Sequence, residues 1–106
     1  MRALLCLLSL VSLPSLAELD YRLQPRQIAA DTYVLEGSTE NFSRNNGGNI
    51  VNTGFIVSED GVVVIDSGPS LRYGKALREA IGSVTDKPVV QVLITHHHPD
   101  HALGNQ

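Results

Sequence analysis

Two short runs leave this chain of 106 residues little freedom in how it folds. Val62-Val63-Val64-Ile65 is continuously β-branched, and Pro88 to Thr95 contains Val89, Val90, Val92, Leu93 and Ile94. Each reads as a strand that is apolar on both faces, which calls for cover from both sides. Between them, Leu71, Leu77, Ala80, Ile81 and Val84 recur at helical spacing, with Arg72, Lys75 and Glu79 on the opposite face. Ser70 is placed to cap that helix and Gly82 to stop it. Strand, helix and strand within one sheet form a right-handed crossover, so Val62–Ile65 and Val89–Ile94 should run parallel. Their C-terminal ends then share one edge of the sheet, where α/β folds gather their chemistry. Asp66 follows the first strand at that edge, and a group of histidines follows the second.

Upstream, Ile50 to Val57 alternates, with Val51, Thr53, Phe55 and Val57 on the more apolar face. Ser58-Glu59-Asp60-Gly61 supplies a turn, so this segment and Val62–Ile65 are expected to pair as an antiparallel hairpin. Thr32-Tyr33-Val34-Leu35-Glu36 has the composition of a short edge strand, whereas Glu18 to Arg26 is polar and mixed. Gly37 to Asn49 is rich in Ser, Asn and Gly, with Phe42 its one large apolar residue. It is a loop, either a surface connection or a flap over a site.

The first seventeen residues have a different character. Arg2 is their only charge, an apolar stretch runs from Ala3 to Val11, and Pro14 precedes the small-residue site Ser15-Leu16-Ala17. This is the layout of a secretory signal peptide, too short and too interrupted to span a bilayer. An exported protein, periplasmic or secreted, is therefore expected, with residues 18–106 as its mature part. Cys6, the only cysteine, lies in the leader, so the remainder can form no disulfide and offers no thiolate. The composition, 42% hydrophobic and 18% charged, is that of a soluble domain, and a net charge of −3 gives no reason to expect nucleic acid or an anionic membrane as partner.

All four histidines fall within His96-His97-His98-Pro99-Asp100-His101. Neutral imidazole and carboxylate are the donors that bind zinc and similar ions. His96 and His98 are two residues apart, so in an extended stretch they project the same way and can grip one ion, while His97 points opposite. Pro99 ends the strand and keeps His98 extended. Asp100 and His101 follow the turn and can face a second centre beside the first.

The motif His96-x-His98-x-Asp100-His101, with Val92-Leu93-Ile94-Thr95 before it and Ala102-Leu103-Gly104-Asn105 after it, resembles the HxHxDH signature of the metallo-β-lactamase-fold hydrolases. Asn52-Thr53-Gly54-Phe55-Ile56-Val57 and Val62-Val63-Val64-Ile65-Asp66-Ser67-Gly68 resemble the strands and acidic turn that open the same domain. The resemblance implies an α/β chain forming the N-terminal part of an αβ/βα sandwich with a mixed sheet. It implies that His96 and His98 bind one Zn²⁺, that Asp100 and His101 bind a second, and that Asp66 steadies the ligand loop without touching metal. Asp100 would also orient the nucleophile and so act in catalysis. The implied activity is hydrolysis of a small-molecule carbonyl substrate, a β-lactam, ester or thioester, by metal-activated water.

The leader and the Asn-rich loop are also similar to periplasmic members tied to quinoprotein relays and sulfur oxidation. Iron-dependent persulfide oxidation uses the same ligand pattern, and a non-catalytic metal-binding or partner-binding module is a further alternative. Family members carry more ligands downstream of this motif. The 106 residues are accordingly expected to be the front of a longer protein, binding metal weakly and hydrolysing nothing alone.

Overall fold

A computed structural model of the chain describes residues 18–106. The leader-like segment 1–17 lies outside the described residues. The backbone forms strands β1 (Arg26–Ala29), β2 (Thr32–Leu35), β3 (Thr53–Val57) and β4 (Val62–Ile65), helix α1 (Leu71–Gly82), strand β5 (Val89–Leu93) and a short helix α2 (Pro99–Ala102) that continues into a 3-10 turn at Leu103–Asn105.

The five strands make one mixed sheet in sequence order. β1 to β4 pair antiparallel with their neighbours, and β4 pairs parallel with β5. The expected hairpin is present, with Val57 opposite Val62 and Ser58 closing the turn by hydrogen bonds from its N–H and hydroxyl to the Gly61 carbonyl. The loop across Gly37–Asn49 is likewise irregular, and Phe42 on it is exposed. α1 begins as anticipated, with the Ser70 hydroxyl accepting from the Tyr73 N–H at 3.1 Å. It packs on one face of the sheet, where Tyr73, Leu77, Ala80 and Ile81 meet Leu35, Phe55, Val62 and Val64 in the buried core.

Several expectations need correction. Thr32–Glu36 does not form an edge strand: it pairs on both sides as β2, and β1 lies outside it. All four β1 residues are exposed, so no hydrophobic pattern announces it, and backbone pairing with β2 is what holds it. The strand expected from Ile50 begins at Thr53, because the chain before it turns back to the loop through Gly37 N–H on the Asn52 side chain and Ser38 N–H on the Asn49 carbonyl. β5 is not buried on both faces; Val90, Val92 and Leu93 are exposed, since among the described residues α1 covers only one face of the sheet and no layer covers the other. Leu71, assigned to the inner face of the helix, is exposed at its first turn. Its place is taken by Tyr73, which is fully buried and hydrogen-bonded at 2.8 Å to the buried Thr53 hydroxyl.

Candidate metal centre

β4 and β5 finish side by side, with Ile65 opposite Leu93 and the Asp66 N–H donating to the Leu93 carbonyl at 2.8 Å. Asp66 then adopts φ 59°, a left-handed conformation that few residues other than glycine accept and that Asp tolerates. The turn lays its carboxylate across the end of β5. Oδ1 accepts the Thr95 N–H at 2.8 Å, and the Thr95 hydroxyl lies 2.8 Å from Oδ2. A backbone N–H taken by a side chain cannot continue a strand ladder, so β5 ends at Leu93, one residue short of the Val89–Ile94 strand expected.

The next residues bring in the far side of the site. Ser67 N–H donates to the His101 carbonyl at 2.8 Å, and Gly104 N–H donates to the Gly68 carbonyl at 3.1 Å. Glycine is required at 68: its φ is +82°, and a Cβ there would meet the Tyr73 ring at 2.0 Å. Gly104 packs so closely that a Cβ would lie 1.9 Å from the Ser67 carbonyl oxygen. These backbone contacts set His101 against Asp66, with its Nδ1 2.7 Å from Asp66 Oδ2.

Three imidazoles therefore converge. His96 Nε2 and His98 Nδ1 are 3.0 Å apart, and the ring centres of His96 and His101 are 4.0 Å apart. Asp100 Oδ2 lies 4.0 Å from His101 Nε2. His96 and His98 are exposed, as is His97, while His101 and Asp100 are half-buried. All five residues singled out from the sequence, His96, His98, Asp100, His101 and Asp66, thus fall in one cluster. Sequence reasoning passed over Thr95, whose hydroxyl also lies 3.0 Å from His96 Nδ1. A threonine at a strand end reads as an ordinary β-former, and its side-chain direction becomes visible only with the turn at Asp66 in place.

Asp66 is 3% exposed. Its burial alone would raise the carboxyl pKa, but hydrogen bonds from His101 and from the Thr95 N–H and hydroxyl, with the attraction of the His101 ring, outweigh that and hold it below the ordinary carboxylate value. The ionised form is therefore the one the fold supports.

The donor set suits a metal. Two nitrogens bound to one tetrahedral zinc at the usual 2.0–2.1 Å lie about 3.3 Å apart, close to the 3.0 Å between His96 Nε2 and His98 Nδ1. Imidazole with carboxylate is chemistry for zinc and its first-row neighbours. Among the described residues no group of three or more His, Cys, Asp or Glu side chains is placed to hold one metal ion. The donors come as two pairs, His96 with His98 and Asp100 with His101.

A family model described as the metallo-beta-lactamase superfamily matches residues 46–106, more than half of the chain and the whole of this site. The chain belongs to the metallo-beta-lactamase superfamily. Among curated members, the linear primary-alkylsulfatase of a Pseudomonas species is 31% identical over 49 residues, covering 46% of this chain and 9% of the relative. The "Probable metallo-hydrolase YqjP" of Bacillus subtilis is 39% identical over 51 residues, covering 45% of this chain and 16% of the relative. The chain thus spans a small part of the curated relatives it matches. A double mutant of the sec-alkyl sulfatase PisA1 superposes with a TM-score of 0.63 at 21% identity, over 78% of this chain and 12% of that one. TMB-1 superposes with a TM-score of 0.57 at 21% identity, over 77% of this chain and 36% of that one. At such identity both speak for the fold. It is the metallo-beta-lactamase fold, of which the described residues form a part, and the superfamily's hydrolase-type scaffold is the frame of the site.

Proposed function

We propose that this superfamily member carries metal-binding residues of a zinc-dependent hydrolase acting on the carbonyl group of a small molecule, a β-lactam, ester or thioester. The observation that carries the reading is the 3.0 Å approach of His96 Nε2 to His98 Nδ1, beside a His101 anchored on Asp66. Zinc bound there would lower the pKa of water to about 7 and polarise the bond to be split. His96 and His98 would hold one ion through those two nitrogens, and the Asp100 carboxylate with His101 Nε2 would hold a second. Asp66 keeps the proton of His101 on Nδ1, which leaves the Nε2 lone pair free on the open side. Asp100 would orient the nucleophile through its remaining oxygen. The leader-like segment 1–17 supports an exported protein.

Each pair supplies two of the three protein ligands that catalytic zinc ordinarily takes, so the 106-residue chain is expected to bind zinc weakly and to turn over nothing by itself. Zinc titration and a chromogenic β-lactam assay test this; tight stoichiometric zinc with turnover would overturn it. In a protein that carries this chain and is active, Asp100→Asn should cut turnover far more than it changes thermal stability, and an unchanged rate would remove Asp100 from the mechanism.

The alkylsulfatase relative favours a second substrate class, a sulfate ester in place of a carbonyl. Parallel assays with a β-lactam, a thioester and an alkyl sulfate separate the classes.

A further inference from the structure

The Thr95 hydroxyl lies 2.8 Å from Asp66 Oδ2, 3.1 Å from Asp66 Oδ1 and 3.0 Å from His96 Nδ1. It has one proton to give and lone pairs with which to accept. Asp66 already takes the Thr95 N–H on Oδ1 at 2.8 Å and lies 2.7 Å from His101 Nδ1 through Oδ2, so it stands in the cluster as an acceptor. Were the hydroxyl proton turned to His96 instead, two oxygens would face each other at 2.8 Å with nothing between them. The proton therefore goes to Asp66, and the hydroxyl oxygen is left to accept from His96. That requires the His96 proton on Nδ1 and leaves Nε2 bare, on the side where His98 Nδ1 approaches to 3.0 Å.

We propose that Thr95 is a positioning residue that relays the hold of Asp66 to His96, so that one buried carboxylate sets the tautomer of two imidazoles: His101 by direct contact and His96 through the Thr95 hydroxyl. Both rings then present bare Nε2 atoms to the open side of the sheet edge. This deepens the metal-centre reading and, for its consequence on metal affinity, rests on it. The arrangement also governs His98. With His96 Nε2 bare, the bond between the two rings needs the His98 proton on Nδ1, so metal binding through that nitrogen must move the proton to His98 Nε2. Of the three imidazoles, two are held ready for metal and one has to switch.

The test is two-bond ¹⁵N–¹H correlation NMR of the histidine rings in the metal-free full chain at about pH 8, well above the ordinary imidazole pKa of about 6.5. Wild type, Thr95→Val and Thr95→Ser are compared. Valine keeps the backbone N–H that Asp66 accepts, so His101 should stay an Nδ1–H tautomer in all three proteins and report that the site is intact. His96 should be Nδ1–H in wild type and Thr95→Ser and lose that preference in Thr95→Val. Zinc, used alone as the probe, should bind Thr95→Val about tenfold more weakly, with recovery in Thr95→Ser. An unchanged His96 tautomer in Thr95→Val, with His101 also unchanged, would overturn the relay. If no protein binds zinc but the His96 difference is present, the relay stands and the metal-centre reading fails.

Discussion

Replacing Asp66 with Asn separates what the turn does for the fold from what it does for the site. Asn is at ease at φ 59°, so the backbone gives no reason for loss. The amide can keep its oxygen on the Thr95 N–H, but its NH₂ must then face His101 Nδ1, which in the native chain lies 2.7 Å from a carboxylate oxygen. Two donors cannot share that space, so His101 has to take the other tautomer and accept from the introduced amide. One hydrogen bond to a charged group, about 1.5–3 kcal/mol, gives way to a neutral one of about 0.5–1.5 kcal/mol. The expected loss of stability is therefore about 1–2 kcal/mol at neutral pH, enough to measure and too little to unfold a domain. The loss at the metal is larger, because the His101 Nε2 lone pair has become an N–H; about 10- to 100-fold in zinc affinity is expected. The pH dependence follows from the lowered Asp66 pKa. Its contribution is complete above the ordinary carboxylate value of about 3.9 and is lost as pH falls through the lowered native value. The stability gap between wild type and variant should accordingly narrow in acid. Urea unfolding followed by circular dichroism at about pH 7 and about pH 3, with zinc titration at neutral pH, measures all three quantities. Equal zinc affinity, or a stability gap that stays constant into acid, would refute the reasoning.

Tyr73→Phe leaves the buried Thr53 hydroxyl without its 2.8 Å partner and should cost about 1–3 kcal/mol in chemical denaturation. Burial raises the Tyr73 pKa, more than Thr53 lowers it, so the wild type should lose stability as pH rises past the ordinary tyrosine value of about 10, an alkaline loss that Tyr73→Phe should lessen. Gly68→Ala puts a methyl group where the Tyr73 ring lies and strains a left-handed backbone; about 2–4 kcal/mol of destabilisation is expected, read as a lowered melting temperature, and an unchanged one would contradict the packing described.

The parallel β4–β5 pair, the helix between them and the hairpin were legible because hydrophobic periodicity reports burial, and Phe55, Val62, Val64, Leu77 and Ile81 are core residues in the chain as folded. β1 was not, because Arg26-Gln27-Ile28-Ala29 is exposed throughout and is held by backbone pairing, which leaves no side-chain pattern. The exposure of Val90 and Val92 was equally hidden, since an apolar strand reads the same whether or not a layer covers it. At the site, the histidine spacing announced the cluster, while the part of Thr95 depends on how the left-handed turn at Asp66 aims its carboxylate across the end of β5, which a turn-forming residue type alone does not reveal. Tyr73 was missed as a core residue for a related reason: a tyrosine on a helix suits a surface as well as a core, and Thr53, on a different element, is what completes its burial.

Zinc titration of the full chain, followed through the ring ¹⁵N resonances of all four histidines, tests the central claim most directly. The account predicts that His96 and His101 remain Nδ1–H as their Nε2 signals take up metal, that His98 passes from Nδ1–H to Nε2–H, and that His97 does not move. A response confined to His97, or none at any of the four, would contradict it.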